Sequence, residues 1–241
     1  MRQGSGRGGP LEALGASYSS LISFLFPARC VVCRARGDWL CARCRPQLAL
    51  FVPPVCPRCG LPVGGGAVCE ACRRRPPPVR ALRSAGYFEG PLREAIHLLK
   101  FSGERYLAEP LGEIMAHCWQ QAPRPVDALL PVPLHPAREA ARGYNQSALL
   151  ARAAAKHLGL PVLGDGLRRL RETPPQVGLP REERLVNLDG AFAAGAQEVH
   201  GRRLALVDDV TTTGATLAAC AAALRQAGAV AVYALVLARA R

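Results

Sequence analysis

The sequence predicts an α/β fold, in which a parallel sheet with flanking helices follows a small cysteine-rich module. From residue 84 to residue 237, strand-like apolar segments alternate with segments of helical periodicity, as is typical of parallel sheets. Eight of the ten cysteines form four pairs before residue 73. Near residue 208, an aliphatic strand runs into two acids and a Thr/Gly turn. These three observations define the fold class and the candidate sites.

The predicted elements follow in order along the chain. Strands are expected at 84–88, 127–134, from 167 to 171, at 203–208 and at 230–237. Helices are expected from Pro91, over 106–121, from the 135–146 region to about 158, and over 217–227. In the first helix, the four residues Leu92, Ala95, Ile96 and Leu99 share one face. Ligands of such sheets bind at the carboxyl ends of the strands, so the candidate site is expected there.

The chain has 241 residues, of which 49% are hydrophobic, enough for one sizeable core and a small module. We divide it into an amphipathic helix at 1–28, a cysteine module at 29–78 and an α/β domain at 79–241, with the basic, Pro-rich stretch 73–78 as boundary. The sequence contains no run of 18 apolar residues, so it predicts no membrane span. Residues 11–26 lack a small-x-small cleavage site, so a signal peptide is disfavoured and we expect a cytoplasmic protein.

The formal net charge is +13, and its excess lies in the first third of the chain. Residues 1–80 hold 12 arginines and 3 acids. Such an excess favours an anionic partner, of which nucleic acid is the common one, although a solvated basic face explains it equally well. The candidate phosphate contacts are Arg43, Arg45, Arg58, Arg73, Arg74 and Arg75.

The cysteine pairs have the spacing of zinc knuckles. Two cysteines separated by two residues can direct both thiolates at one tetrahedral zinc, and a second pair completes the site. The pairs Cys30/Cys33, Cys41/Cys44, Cys56/Cys59 and Cys69/Cys72 therefore predict two structural Zn²⁺ sites. Consecutive and interleaved pairings both fit the spacing, and disulfides are disfavoured in a chain without a secretion signal. Cys118 and Cys220 lie in helical patterns, where small core residues are expected.

The segment from Asp208 to Thr216 has the features of a sugar-phosphate site. Backbone N–H groups and the dipole of the following helix attract a phosphate, and the threonines add hydroxyl donors. Asp208 and Asp209 are placed to meet ribose hydroxyls or a water bound to Mg²⁺. The alternative is a strand that ends in solvated acids and threonines that cap a helix. The candidate phosphate-binding residues are Val210, Thr211, Thr212, Thr213, Gly214, Ala215 and Thr216.

A second basic element follows the 127–134 strand. Arg138 and Arg142 lie four residues apart beside Gly143, a spacing suited to a diphosphate, although a water-exposed helix face would show the same spacing. His135 is more readily explained as a structural loop residue than as a proton donor. The polar segment 173–187 has the composition of a flap that closes over a site.

The strand, acid pair and Thr-Thr-Gly-x-Thr turn together resemble the PRPP-binding motif of the type I phosphoribosyltransferases. One position departs from it, because Thr211 stands where that family usually has an aliphatic residue. Further segments resemble the ComF family, and the cysteine module is similar to that family's zinc ribbon. These segments are 87–90, 93–96, Lys100 with Phe101, 131–136, Arg138, 142–146, 171–176, Arg184 and Asn187.

The resemblance implies a type I phosphoribosyltransferase fold, a site for PRPP with Mg²⁺, zinc, and a role in DNA uptake with single-stranded DNA and the uptake machinery as partners. Asp208 and Asp209 would then hold the ribose, Arg142 and Arg138 would neutralise the leaving diphosphate, and residues 210–216 would anchor the 5′-phosphate. The acceptor is not implied. The rival hypothesis is a catalytically silent, zinc-ribbon nucleic-acid-binding adaptor that uses the transferase fold as a scaffold.

Overall fold

The structure is a computed structural model that describes residues 28–172, 188 and 190–241. The chain divides into two compact units, residues 1–45 and 46–241. The flap predicted at 173–187 lies outside the described residues, as does the helix predicted at 1–28, apart from residue 28. The domain limits expected from the sequence stay a prediction.

In the described part of the first unit, a tight turn carries the first cysteine pair. The N–H of Arg34 donates to the carbonyl of Cys30 at 2.8 Å, and the N–H of Cys30 donates to Ala35. Arg34 adopts a φ of 60°, an unusual value for a non-glycine residue that closes the turn. This turn brings Cys30 and Cys33 to one side of the chain.

The second unit contains a four-stranded parallel sheet. Its strands are β1 (Leu82–Tyr87), β2 (Ala128–Pro131), β5 (Arg203–Thr211) and β6 (Ala231–Arg239), in the order β1-β6-β5-β2. Two short strands, β3 (Leu167–Arg169) and β4 (Phe192–Ala194), form a separate antiparallel pair. The predicted parallel sheet with flanking helices is confirmed.

Seven α-helices lie in the described part of the second unit. They are α1 (Glu70–Arg74), α2 (Gly90–Phe101), α3 (Ala108–Gln121), α4 (Pro136–Arg142), α5 (Gln146–Leu158), α6 (Ala196–Val199) and α7 (Ala215–Gln226). The four residues expected on the inner face of α2 are all buried. Helix α4 ends at Arg142, and Gly143, whose φ is 79°, separates it from α5; the segment expected only to lead into a helix thus contains a short helix of its own.

Helices cover both faces of the sheet. On one face, Leu204 and Leu206 of β5 share a core with Leu217 and Leu224 of α7. On the other, α3 and α5 pack on the sheet and on each other, and the Trp119 ring meets the Tyr233 ring edge-on at 6.3 Å between centroids. This two-sided burial explains why β5 and β6 read as aliphatic runs in the sequence.

Strand β5 continues three residues beyond its predicted end. Asp208 aligns with Val236, Val210 with Ala238, and Thr211 with Arg239, because β6 extends to residue 239 and continues the ladder. The acid pair therefore lies within the strand and is held by sheet pairing. Among the helices of the described ranges, none combines the length and the apolar character needed to cross a membrane.

Candidate ligand and metal sites

The acid pair at the end of β5 is surrounded by side chains from two helices. Asp209 is almost fully buried, and its Oδ2 lies 2.5 Å from Nζ of Lys100, near the end of α2. Its Oδ1 accepts a hydrogen bond at 3.4 Å from Nε2 of Gln146, the first residue of α5. Asp208 accepts from the hydroxyl of Ser147 and from the N–H of Asp209, both at 2.9 Å.

Arg142 belongs to the same network. It donates to Oε1 of Gln146, whose amide donates to Asp209, so one glutamine connects the predicted diphosphate-binding arginine to the acid pair. The guanidinium of Arg142 also lies over the ring of Phe101, 5.4 Å from its centroid. Arg138 is held differently, since its Nε lies 3.4 Å from Oε1 of Glu172.

The start of α5 is fixed by its N-cap. The side chain of Asn145 accepts from the N–H groups of Ser147 and Ala148 and donates to the carbonyl of Val132 at 3.1 Å. The cap satisfies two backbone donors of the helix and ties it to the end of β2. Gln146 and Ser147 are consequently presented to the acids from a rigid position.

Burial and the neighbouring charge of Asp209 raise the pKa of Asp208 to about 8, despite the opposing effect of Lys100. A carboxyl group with this pKa is largely protonated at neutral pH. Binding of a cation or a polyhydroxyl ligand would favour its ionised form. Among the described residues, Asp208 is thus the carboxyl group best suited to respond to a ligand at this edge of the sheet.

The turn that follows β5, residues 211–216, is called the Thr turn below. Thr211 is buried at the end of the strand and Ala215 is buried at the start of α7, whereas Thr212 is exposed. Gly214 has a φ of 79°, which favours glycine, and the Oγ1 of Thr213 accepts from the N–H of Ala215. Val210 and Thr216 are half-buried. The hydroxyls able to reach a ligand are therefore those of Thr212, Thr213 and Thr216.

The eight paired cysteines form two clusters. Cys30, Cys33, Cys41 and Cys44 make the first site, and Cys56, Cys59, Cys69 and Cys72 make the second; within each, the sulfur atoms lie within 4.8 Å of one another. Consecutive pairs therefore share a site, which decides between the two pairings that the spacing allowed. All the cysteines are free thiols.

The sulfur spacing fits zinc. The Sγ atoms of Cys33 and Cys41 are 3.8 Å apart and those of Cys59 and Cys69 are 3.7 Å apart. A tetrahedral zinc with Zn–S bonds of about 2.3 Å requires about 3.8 Å between sulfurs, whereas a disulfide requires about 2.05 Å. Both clusters are thus four-cysteine zinc-binding sites with no ligand position left for a substrate.

The first site and the second each contain a thiol with a lowered pKa. Burial opposes ionisation of Cys30 and of Cys56, but hydrogen bonds from backbone N–H groups outweigh it and lower the pKa of each to about 6. Burial raises the pKa of Cys44 to about 12, and it also raises that of Cys72. Binding of zinc must displace the remaining protons, so metal affinity is expected to rise with pH.

The second site is attached to the sheet through its backbone carbonyls. Pro57 accepts from the guanidinium groups of Arg83 and Arg124, at 3.3 and 3.2 Å. Arg58 accepts from the N–H of Leu82 at 2.8 Å. Arg83 is 1% exposed, and its charge is met by carbonyl oxygens of Pro57, Leu82 and Ala122. The Cys56/Cys59 knuckle is therefore part of the packing of β1.

The remaining candidate residues are placed as follows. His135 caps α4, since its Nδ1 accepts from the N–H of Ala137 at 3.3 Å. Cys220 lies on α7 and is fully buried in the hydrophobic core. The half-buried Cys118 donates to the carbonyl of Ser84 at 3.3 Å. Of the six candidate arginines of the cysteine module, Arg45 is half-buried and the following are exposed: Arg43, Arg58, Arg73, Arg74 and Arg75.

Sequence reasoning did not assign Lys100, Gln146 or Ser147 to the site. Lys100 is one of only two lysines in the chain, and Gln146 and Ser147 lie just beyond the Arg138/Arg142 element. The rarity of lysine was a usable signal. The partner of Lys100 could not be identified, because it lies 109 residues further along the chain.

The sheet and the two cysteine sites define a zinc-ribbon protein with a parallel α/β domain. The double zinc ribbon domain family matches residues 21–73. The chain is 33% identical over 215 residues to Competence protein F of Haemophilus influenzae, covering 84% of this chain and 93% of that protein. It is 35% identical over 216 residues to the DNA utilization protein YhgH of Escherichia coli K12, covering 86% and 94%. Competence protein ComFC of Bacillus subtilis is 29% identical over 196 residues, covering 78% and 79%. The chain belongs to the ComF family.

Two solved structures show a weaker likeness. They are the allosteric regulatory enzyme of purine biosynthesis, with 21% identity and a TM-score of 0.39, and glutamine PRPP amidotransferase of B. subtilis, with 24% identity and a TM-score of 0.38. Each match covers 54% of this chain and about a quarter of that protein. At these scores the likeness carries no argument about the site.

Proposed function

We propose that this chain is a PRPP-binding, phosphoribosyltransferase-like protein of the ComF type that acts in DNA uptake and handles single-stranded DNA. The observation that carries the first half is the hydrogen-bonded acid pair, Asp208 and Asp209, followed directly by the Thr turn. The names of the relatives, competence and DNA utilization proteins, support the second half. Two reduced four-thiol zinc sites suit the reducing environment of the cytoplasm, where we place the protein.

The residues have distinct roles in this proposal. The Thr turn binds the 5′-phosphate through its hydroxyls and the N-terminus of α7. Asp208 and Asp209 accept hydrogen bonds from the ribose hydroxyls. Arg142, with Arg138 nearby on α4, neutralises the diphosphate. When the bond between C1′ and the diphosphate oxygen breaks, positive charge develops on the ribose, and the carboxylates stabilise that charge.

Magnesium would be the companion of PRPP, and the donor set permits it. Asp208 is half-buried, and only one of its oxygens accepts the hydrogen bonds from Ser147 and Asp209, which leaves an oxygen ligand of the kind that Mg²⁺ prefers. Asp209 is already paired with Lys100. A bound Mg²⁺ would offset diphosphate charge, and Asp208 rather than Asp209 would hold its water shell.

Calorimetric titration of the protein with PRPP and MgCl₂ tests the ligand. The wild type is expected to bind, and Asp208→Asn/Asp209→Asn is expected to bind at least about tenfold more weakly, since each charge-assisted hydrogen bond contributes about 1.5–3 kcal/mol. Asp127→Asn is the matched control. Asp127 lies just before β2, at the amino ends of the strands and therefore away from the acid pair, where it forms an ion pair with Arg203. Absence of binding to the wild type, or equal binding by the double variant, would refute the proposal.

The proposed contact with DNA rests on the exposed arginines of the cysteine module. Fluorescence anisotropy with a labelled single-stranded oligonucleotide, repeated at several salt concentrations, measures both affinity and its salt dependence. Arg43→Gln/Arg58→Gln/Arg73→Gln is expected to bind more weakly and to lower the slope of log affinity against log salt by about 0.7 for each phosphate that the variant no longer neutralises. Arg152→Gln, at an exposed position on α5, is the control. An unchanged slope in the triple variant would remove these arginines from the DNA contact.

One observation favours the silent adaptor as a second candidate. Asp209 and Arg142 are both engaged by side chains of this chain, Asp209 with Lys100 and Arg142 with Gln146. An enzyme must break or share these contacts when PRPP binds, whereas an adaptor has no such need. Release of diphosphate from PRPP, measured with a coupled phosphatase assay in the presence of candidate acceptors, separates the two candidates. Binding of single-stranded DNA without release of diphosphate identifies the adaptor.

A further inference from the structure

Residues of the second zinc site and of the Thr turn line the same open cavity. Its volume is about 210 Å³. One side is formed by Cys59, Cys72 and the segment 75–78, and the other by the segment 211–214 together with Leu217 and Arg239. Every lining residue belongs to the second compact unit. Two of the zinc ligands, Cys59 and Cys72, thus belong to the wall of a cavity that the candidate phosphate site also lines.

Arg239 connects the two sides. It is the last residue of β6, aligned with Thr211 in the parallel ladder, so it lies at the same edge of the sheet as the Thr turn. Its Nη1 donates to the carbonyl of Cys59 at 3.3 Å. A single guanidinium therefore contacts the knuckle of the second site and lines the cavity beside the threonines.

The proline-rich segment after the last zinc ligand forms another connection. Nη2 of Arg225, in α7, donates to the carbonyl of Pro78 at 2.5 Å. A methyl group placed on Gly214 would lie 3.8 Å from Cδ of Pro78, so the two segments face each other with room for about one methyl group between them. Movement of Cys72 would be transmitted along the short following segment to the turn, because prolines at 76–78 restrict the backbone.

We propose that the second four-cysteine site is a structural wall of the ligand site at the Thr turn, and that Arg239 is the positioning residue that holds wall and turn together. Zinc at Cys56, Cys59, Cys69 and Cys72 keeps the turn in the conformation that receives the phosphate of a ribose phosphate. Zinc at the first site, in the other compact unit, has no such effect. The identity of the ligand rests on the proposed function, but the coupling between metal and turn does not.

Amide hydrogen exchange, followed by mass spectrometry without any ligand, tests the coupling. In Cys69→Ser/Cys72→Ser, the amides of residues 212–215 are expected to exchange at least about tenfold faster than in the wild type, as local opening becomes easier. In Cys30→Ser/Cys33→Ser, the exchange of these amides should be unchanged. Equal exchange at the Thr turn in both variants would overturn the proposal.

Arg239→Gln addresses the possibility that loss of the second site unfolds the whole unit. This variant keeps all eight thiols, and protection of residues 204–207 in the centre of β5 shows whether the sheet is intact. Faster exchange at 212–215 with β5 protected is expected, and Arg239→Lys, which keeps a donor to Cys59, should restore slow exchange. If Arg239→Gln leaves the Thr turn as protected as in the wild type, Arg239 has no positioning role.

Cobalt spectroscopy gives a signal that should change on ligand binding only if the second cysteine site forms a wall of the ligand site. Co²⁺ is loaded into Cys30→Ser/Cys33→Ser, so that the second site alone carries the metal, and PRPP is then titrated. The visible bands of tetrahedral Co²⁺ are expected to shift with the same midpoint as the calorimetric isotherm. Binding by calorimetry with an unchanged spectrum counts against the shared wall. Absence of binding refutes the proposed function instead, and hydrogen exchange then decides on the wall alone.

Discussion

Replacement of Lys100 by Met removes the cation that faces Asp209. The Nζ of Lys100 lies 2.5 Å from Oδ2 of Asp209, and the two side chains are 21% and 4% exposed. Methionine keeps the length and apolar contacts of the lysine stem, so the change is mainly one of charge. Asp209 would keep only the long hydrogen bond from Gln146, at 3.4 Å.

The cost follows from leaving a buried carboxylate without its partner. Breaking a buried pair by removing one member costs about 3–5 kcal/mol, and the partial exposure of Lys100 places this case near the lower end, about 3 kcal/mol. Asp209→Asn should cost less, because Lys100 can reach water. The double variant should recover part of the loss, which gives a coupling energy of about 1–3 kcal/mol.

Urea unfolding at pH 7 measures these free energies, provided that the denaturant slope stays constant across the variants. Lys156→Met is the matched control. Lys156 pairs with Glu109 at 2.9 Å, but the side chains are 65% and 55% exposed, so its loss should cost less than about 1 kcal/mol. If Lys100→Met lowers the free energy of unfolding no more than Lys156→Met does, or if the effects of the two single variants simply add in the double variant, Lys100 and Asp209 do not form a buried ion pair.

Three further predictions concern the acid pair, a helix contact and a cap. The pKa of Asp208 is raised to about 8, so the folded state binds its proton more tightly than the unfolded chain does. The free energy of unfolding should therefore fall as the pH rises from about 4 to about 8, by at most about 1.4 kcal/mol per pH unit. Asp208→Asn should flatten this slope in urea titrations between pH 5 and 9, and an unchanged slope assigns it to other groups. Gly112→Ala should lower the free energy of unfolding, measured by thermal unfolding, by about 2–3 kcal/mol, because the new methyl would lie 2.9 Å from the backbone nitrogen of Ala154. The control, Gly164→Ala, should be nearly neutral, because its methyl meets nothing within 4 Å. Asn145→Ala should cost about 1–2 kcal/mol in urea unfolding. Asn145→Ser, which keeps a capping oxygen and like alanine lacks the amide donor to Val132, should cost clearly less; equal losses would mean that the cap contributes nothing.

The sequence was informative wherever the signal is local. The four buried positions of α2 follow from helical periodicity, and the zinc ligands follow from a two-residue spacing, because both depend on a few consecutive residues. The pairing of the cysteines was undetermined, because the spacing allows two solutions and only the positions of the sulfurs separate them.

Contacts between distant segments could not be read from the sequence. Strand β1 begins two residues before its predicted start. The sequence did not predict this start, because Arg83 is a charged residue at a fully buried strand position. Its guanidinium is accommodated by the carbonyls of Pro57 and Ala122, which come from separate segments. The pairing of Lys100 with Asp209 likewise joins α2 to β5, and no periodicity predicts such a pair.

The strand order also determines when the protein can fold during synthesis. Strand β1 has β6 as its only strand neighbour in the described sheet, and β6 also pairs with β5. Residues 82–87 must therefore wait until residues 231–239 have left the ribosome. Arg239, which donates to Cys59, is among the last of these. Nascent chains can thus load zinc at both cysteine sites long before the sheet closes, and we expect assembly of the second site with the sheet to be a late, post-translational step.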